Sequence, residues 1–544
     1  MSLQFIFGNS GSGKSHYLYQ QIVEESIRHP EKNYLVLVPE QFTMQTQKDL
    51  CMAHPRGGIM NIDVLSFGRL AHRVFEETGK ERQPILDDEG KNLVLRKIAG
   101  NYEDELTVLK GNLKKQGYIS EVKSVISEFT QYGIDFEQLD SFMEGLNPES
   151  YLYYKLKDIR KVYEGFEDYL RDKYITKEEL LDVLSQNVAE AKMLKDSVIA
   201  MDGFTGFTPV QNRLIGELLK VCDKIMLTVE IDRREDPFVY KHPYQLFALS
   251  KQMVTSLTEV AQEVKVEIDE PVWLCKNPPY RFKENPEMAF LEEELFRYSR
   301  RKYSGKKMQS ISLHEVHTPQ EEAQYVAEEI RRLVREEGYR YREIAVIASD
   351  LNTYADSLEK ACERYEIPVF MDHKKSILLN SFVEYLRSLL VMVEQNYTYE
   401  SVFRYLRTGL CGFTRDEVDR LENYCLALDL KGFKKWDQVW VRKTPMTTKE
   451  ELEELNHLRM RFVEKLTPLH TVLKKRKKTV KEITLAVYEY LVQEKIQEQL
   501  AELEQKFQEE GELALAKEYA QIYRIVLELF DKFVELLGEE EIPL

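Results

Sequence analysis

One stretch near the start of the chain constrains the fold more than any other. Gly8-Asn9-Ser10-Gly11-Ser12-Gly13-Lys14-Ser15 fits G-x-x-x-x-G-K-[ST] at every fixed position. A short apolar run, residues 3–7, precedes it, and a pattern predicting a helix over Lys14–Arg28 follows it. The glycines let successive backbone N–H groups converge on phosphate oxygens, and the helix start adds a partial positive charge. Lys14 is then expected to reach the β- and γ-phosphates and the Ser15 hydroxyl to hold Mg²⁺. The alternative, a structural glycine turn, has no need of the lysine or of the strand–loop–helix context. The residues 8–15 therefore predict a nucleotide site, with ATP and Mg²⁺ as its cofactors.

Around this loop the chain alternates strands and helices. Residues 34–38 form a continuous apolar run stopped by Pro39, and Ile62–Leu65 forms another. Such runs predict a parallel sheet covered on both faces. Residues 86–195 change texture to long amphipathic helical patterns without a convincing strand, after which Val198–Met201 and residues 225–229 return to the sheet pattern. This predicts a first α/β domain over 1–85 and 196–269, interrupted by a helical insertion over 86–195. Pro271, Pro278, Pro279 and Pro286 with dense charge predict a linker over 270–307. A second α/β unit is predicted to start at 308–395, with strands near 311–316 and 344–348 and a helix over 319–337. A helical insertion follows over 396–544. The run Lys474-Lys475-Arg476-Lys477-Lys478 reads as a solvated helix end.

Length and composition narrow the class. A chain of 544 residues predicts several domains, and 43% apolar residues exclude wholesale disorder. Its 76 basic against 93 acidic residues give a formal charge of −17. That excludes coating nucleic acid with a wholly basic surface, though not a local basic groove. The longest strongly apolar run, 389–393, falls far short of the ~20 residues of a membrane span. The first residues enter a strand at once, which leaves no room for a signal peptide. Six cysteines lie scattered without a C-x-x-C pair, as expected of reduced thiols in a cytoplasmic protein.

A phosphate loop needs a carboxylate at the end of a nearby strand to complete a Mg²⁺ shell, and Val198-Ile199-Ala200-Met201-Asp202 supplies one. The residues that follow, Gly203-Phe204-Thr205-Gly206-Phe207-Thr208-Pro209-Val210-Gln211, resemble the superfamily 1 helicase segment D-E-F-Q-D-T-N-x-x-Q, with Asp202, Phe204 and Gln211 in register. The departures fall on the chemistry. Gly203 stands where the glutamate that handles the attacking water would be, and glycine cannot polarise a water. Ser349 stands where active motors of that superfamily carry a γ-phosphate arginine.

A closer resemblance runs along the whole chain. Val38-Pro39-Glu40-Gln41-Phe42-Thr43 and Val64-Leu65-Ser66-Phe67-Gly68-Arg69-Leu70-Ala71 resemble motifs of the AddB (RexB-like) subunit of bacterial AddAB ATP-dependent helicase/deoxyribonucleases. So do the stretches from Glu321 to Ile330, Ile344-Ala345-Val346-Ile347-Ala348, and Ile367-Pro368-Val369-Phe370. The fold implied is α/β, with P-loop, helicase-like (RecA-like) parallel-sheet domains and large helical insertions. The implied function is an ATP-binding, DNA-binding subunit that does not act as the motor. Its partners would be an AddA-type motor subunit, double-stranded DNA ends and single-stranded DNA. Members of that family run about twice as far, so the chain reads as an N-terminal fragment. The nuclease domain and its 4Fe–4S cluster are expected only in the full-length protein, and 1–544 alone is expected to neither unwind nor cleave DNA. Gln395-Asn396-Tyr397-Thr398-Tyr399 fits the nuclease pattern Q-x-x-x-Y, but without the accompanying acidic residues it reads as a helix–loop junction.

In this reading Gln41, Thr43, Ser66 and Arg69 face single-stranded DNA, with Phe42 or Phe67 placed to stack on bases. Ordinary cap chemistry is the alternative, with Ser66 capping the helix that starts at Phe67. A different function class also stays open: a non-catalytic DNA-end-binding scaffold with a relic phosphate loop.

Overall fold

Unbroken apolar runs build the first sheet. The computed structural model describes residues 1–544 apart from 80–82, 113–114, 172, 306–307, 372–375, 445–446 and 543–544. Its first compact unit is Met1–Ser312. There β1 (Ser2–Gly8) passes through the glycine-rich turn into α1 (Lys14–Arg28), followed by β2 (Tyr34–Leu37), α2 (Thr43–Ala53), β3 (Ile62–Leu65) and α3 (Phe67–Thr78). An excursion comprises β4 (Ile85–Leu86), α4 (Asp88–Asn101), α5 (Gln116–Tyr132), α6 (Phe136–Glu144), α7 (Tyr151–Leu170), β5 (Ile175–Thr176) and α8 (Leu180–Asn187). The sheet then resumes with β6 (Val198–Met201), α9 (Pro209–Leu219), β7 (Lys224–Glu230), α10 (Ala248–Glu263), β8 (Glu267–Ile268) and β9 (Val272–Trp273), before α11 (Pro286–Glu294).

The strands order as β3-β2-β6-β7-β1-β8, with β9 on the far end of β1, and every ladder is parallel. Because side chains alternate faces along a strand, the buried strands feed two cores. Phe5, Phe7, Leu35, Ile199 and Leu227 face α3, α9 and α10, whereas Ile6, Val36, Ala200 and Met226 face Leu18 and Ile22 of α1 and Leu50 of α2. Gly8 pairs with Glu230, and Leu37 with Met201. The glycine loop, the turn after β2 and Asp202 therefore leave the sheet at one edge, the carboxyl ends of its strands.

Two predictions need correction in this unit. The stretch 86–195 reads as free of strands, yet β4 and β5 form a two-stranded parallel pair that closes the neck of the excursion. Two residues per strand are too few to leave a period in the sequence. The linker predicted over 270–307 contributes β9 to the main sheet and α11 beyond it. Leu274 N–H donates to Phe7 O at 2.8 Å, continuing the β1–β9 pairing, and the prolines stiffen a crossing rather than marking a spacer.

Inside the excursion Lys91 is buried and pairs with Glu178 at 2.5 Å. Burial pushes the Glu167 carboxyl on α7 up to about 7, with the Glu179 carboxylate adding to the shift and Arg171 opposing it. An acid whose folded pKa exceeds its unfolded value binds its proton more tightly when folded. Stability is then greatest below the usual 4.5 and falls as pH rises to about 7. Glu167→Gln is expected to raise the melting temperature at pH 8, by at most about 3 kcal/mol of stability, and to change it little at pH 5. Equal shifts at both pH values in thermal unfolding would remove the burial argument.

The second unit, Leu313–Leu544, opens with α12 (Pro319–Glu336) packed on α13 (Leu351–Arg364). The strands predicted near 311–316 and 344–348 are corrected here: both stretches are extended, but neither forms a ladder among the described residues. A strand exists only through a partner backbone, and Leu313 and Ile347 are almost fully exposed. The rest is helical: α14 (Ser381–Glu394), α15 (Tyr399–Leu406), α16 (Arg415–Leu428), α17 (Phe433–Asp437), α18 (Lys449–Leu473), α19 (Val480–Gln493), α20 (Ile496–Glu509) and α21 (Leu513–Leu537) around one large core. Gln395 caps the end of α14 and Tyr399 opens α15, its hydroxyl donating to Glu422 at 2.8 Å, so the Q-x-x-x-Y match is a helix junction. The basic run 474–478 lies between α18 and α19, where Lys475 and Lys477 meet Glu482 and Glu541.

Candidate nucleotide-binding site

The loop after β1 is shaped by glycines at Gly11 (φ 72°) and Gly13 (φ 94°), left-handed conformations that side chains resist. A Cβ on Gly13 would meet nothing within 4 Å, so the loop is open at that point. Gly13 also caps α1 with no side-chain hydrogen bond, and the first turn of α1 carries no acid. The amides of that turn keep their donor capacity for an anion. Ser12 Oγ and Asn9 Oδ1 are buried without a hydrogen-bond partner, and Lys14 Nζ folds back onto Asn9 O at 2.9 Å. A polyphosphate fits this donor set: it would relieve the orphaned Ser12 hydroxyl and give Lys14 a charged acceptor. Burial holds the Lys14 ammonium below its usual range, while Glu230 and Asp202 act the other way.

Asp202 leaves the end of β6, buried, and is the hub of three hydroxyls. Ser15 donates to its Oδ1 at 3.1 Å, Thr228 of β7 to the same oxygen at 2.5 Å, and Tyr19 to Oδ2 at 2.7 Å. The sequence brought Ser15 and Asp202 together as a candidate Mg²⁺ pair, and they are in direct contact. A hard cation suits this oxygen set, completed by phosphate oxygens and water. Gly203 follows with φ 77° and no side chain to address a water.

Two further contributors were not seen in the sequence. The stretch after β9 returns across the loop: Arg281 N–H donates to Gly11 O at 3.0 Å, and a Cβ on Gly11 would come within 2.8 Å of Arg281 Cβ. Tyr280 and Arg281 thereby line the same open cavity of about 970 Å³ as Lys14, Ser15, Asp202 and Glu230. Read as a linker, this stretch gave no signal beyond an aromatic–basic pair. Asn9 is fixed from α11, donating to Glu292 at 3.0 Å.

The DNA candidates divide. Gln41 and Arg69 are exposed, and Phe42 is half-exposed on the 3₁₀ turn Glu40–Phe42. Thr43 and Ser66 are buried. The Thr43 hydroxyl donates to Glu40 O at 3.0 Å, and Ser66 Oγ accepts from Arg69 N–H at 3.4 Å, capping α3. Both hydroxyls take part in starting their helices, as ordinary cap chemistry predicts. Phe67 is likewise in the core, against Phe204 and Phe207.

A strand–phosphate loop–helix start, a buried carboxylate two strands away and a parallel sheet carrying a large helical excursion define a P-loop, helicase-like α/β protein. A family profile described as "ADDB, N-terminal" matches residues 5–292, and one described as "UvrD-like helicase C-terminal domain" matches 285–543. The chain belongs to the ADDB N-terminal family. It is similar to proteins named as the B-type subunit of an ATP-dependent helicase/deoxyribonuclease. One, from Lachnoclostridium phytofermentans, is 41% identical over 550 residues, covering 100% of this chain and 48% of that protein. Those from Clostridium novyi and Caldanaerobacter subterraneus subsp. tengcongensis are 33% and 34% identical, covering 100% of this chain and 47% of each. The chain spans about half the length of the curated relatives it matches. Among the described residues no helix is long and apolar enough to cross a membrane.

Proposed function

We propose that this chain is the nucleotide-holding, DNA-holding part of the AddB-type subunit of a heterodimeric ATP-dependent helicase/deoxyribonuclease that resects double-strand DNA breaks for recombinational repair. The observation that carries the reading is an intact phosphate cradle, Gly8 to Ser15 with Asp202, beside Gly203, which offers no base. Lys14 and the α1 amides bind phosphates, and Ser15 and Asp202 hold Mg²⁺, which would neutralise phosphate charge. Losing a group that acts on the attacking water lowers turnover without weakening ground-state binding. The chain then binds ATP without being the motor, which falls to an AddA-type partner. Gln41 and Arg69 are its exposed candidates for single-stranded DNA.

Titration of a fluorescent ATP analogue tests the reading, and micromolar, Mg²⁺-dependent binding is expected. Absence of binding would leave the relic-loop scaffold. The Tyr280 ring, exposed and lining the cavity, is placed to stack on the base. Tyr280→Ala should weaken the analogue by roughly fivefold, the ~1 kcal/mol of an aromatic stack. Unchanged affinity would remove Tyr280 from the site. Highly purified chain is expected to leave labelled duplex DNA intact with Mg²⁺ and ATP; degradation above the level of a mock preparation would contradict this.

A further inference from the structure

The hydroxyl of Tyr19 makes a connection that nucleotide binding alone does not require. Tyr19 lies four residues after Ser15 on α1, so both face Asp202 from one side of the helix. Its oxygen is 2.7 Å from Asp202 Oδ2 and 3.3 Å from Thr46 Oγ1, and Thr46 is buried on α2. A phenol has one proton, and an ionised carboxylate only accepts. The proton of Tyr19 therefore goes to Asp202, and Thr46 donates to the Tyr19 oxygen. The result is a directed chain, Thr46 to Tyr19 to Asp202, from α2 into the Mg²⁺ pair.

The far end of that chain matters because of what precedes α2. The 3₁₀ turn Glu40–Phe42 runs straight into Thr43, whose hydroxyl ties it to Glu40, and Thr46 lies one helical turn further on. Gly203, next to Asp202, also lies beside that turn: a Cβ built on it would come 3.7 Å from Pro39 Cδ and 3.8 Å from the Phe42 ring. The strand end that carries Asp202 is thus bonded to α2 through Tyr19 and Thr46 and lies beside the exposed Gln41–Phe42 turn that leads into α2. Ser15 Oγ and Asp202 Oδ1 are the atoms a Mg²⁺ would draw on. The Tyr19 bond to Oδ2 is then what fixes the rotation of the carboxylate.

We propose that Tyr19 is a positioning residue that couples occupancy of the Ser15–Asp202 pair to α2 and to the Gln41–Phe42 turn. The proposal rests on the nucleotide reading above. Its test compares the wild-type chain with Tyr19→Phe and Thr46→Val, by hydrogen exchange of residues 40–53 with and without Mg²⁺ and a fluorescent ATP analogue. Affinity for the analogue is measured in Mg²⁺ and in EDTA. In the wild type, exchange over 40–53 should slow about fivefold or more when the analogue and Mg²⁺ are present, within the usual range of coupling. Tyr19→Phe should lose that response and raise the half-saturating Mg²⁺ severalfold, while affinity in EDTA stays within about twofold. Thr46→Val leaves the Tyr19–Asp202 bond in place. It should lose the α2 response but keep the Mg²⁺ dependence, a split that mere loss of stability would not produce. A wild-type response in either variant that folds overturns the coupling. A wild-type chain that binds the analogue without slowing 40–53 overturns it too. If the wild type and Lys14→Ala bind the analogue equally poorly, the nucleotide reading itself has failed and the coupling falls with it.

Discussion

Lys14→Ala abolishes detectable binding of an ATP analogue, with affinity down at least about 100-fold and melting temperature unchanged within about 2 °C. The ammonium donates to Asn9 O within its own loop and makes no ion pair that the fold depends on. With nucleotide present the same group would exchange a neutral carbonyl for charged phosphate oxygens, each such charge-assisted bond contributing roughly 1.5–3 kcal/mol. Two of them correspond to about 100-fold or more in affinity. Alanine suits the first position of α1 at least as well as lysine, so the helix is not weakened. Equilibrium titration of both forms at matched Mg²⁺, with thermal unfolding in parallel, checks both halves. Equal affinity would mean that the loop is a structural turn.

How much of this was legible in sequence follows from how local each feature is. The phosphate loop is eight consecutive residues whose shape depends on its own glycines, so Gly8 to Ser15 could be read directly. Asp202 could be read because an apolar run ending in an acid is also a local pattern. Tyr19 was half-legible: its spacing from Ser15 puts both on one helix face, but its meeting with Thr46 depends on how α2 packs against α1. Tyr280 and Arg281 were not legible, because the pairing of β9 with β1 brings them to the loop from some 270 residues away. Thr43 and Ser66 show a different limit. Small polar residues after a strand serve equally as helix starters and as phosphate contacts, and only their burial distinguishes the two. The stretch at 344–348 has the composition of a strand, but no partner backbone pairs with it among the described residues.

Asp158→Ala is expected to do the reverse of Lys14→Ala, costing the fold heavily while leaving the site its ligand. Asp158 is buried on α7, and its carboxylate gathers three successive amides of the loop between α4 and α5. Oδ2 accepts from Thr107 at 2.9 Å, Val108 at 2.6 Å and Leu109 at 2.9 Å, and Oδ1 accepts from Thr107 at 3.1 Å. A carboxylate suits this nest of N–H groups because it brings charge and no competing donor. Leu109, in the core, is held by one of these bonds, and Leu106, also in the core, directly precedes them. Alanine leaves three amides without their acceptor at about 1–3 kcal/mol each, partly recovered by entering water, for a net loss of roughly 3–5 kcal/mol. A fall in melting temperature of roughly 5–10 °C follows, with fast hydrogen exchange confined at first to residues 103–112. Asp158→Asn keeps one oxygen but turns an NH₂ toward the amides, and should recover less than half of the loss. Below its melting temperature Asp158→Ala should bind the ATP analogue within about twofold of wild type, because the phosphate loop leaves β1, which pairs with β7 and β9, whereas the Asp158 bonds go to residues 107–109. If nucleotide affinity collapses with Asp158 well below the transition, the excursion and the phosphate site unfold as one cooperative body, and the sheet does not hold the cradle alone.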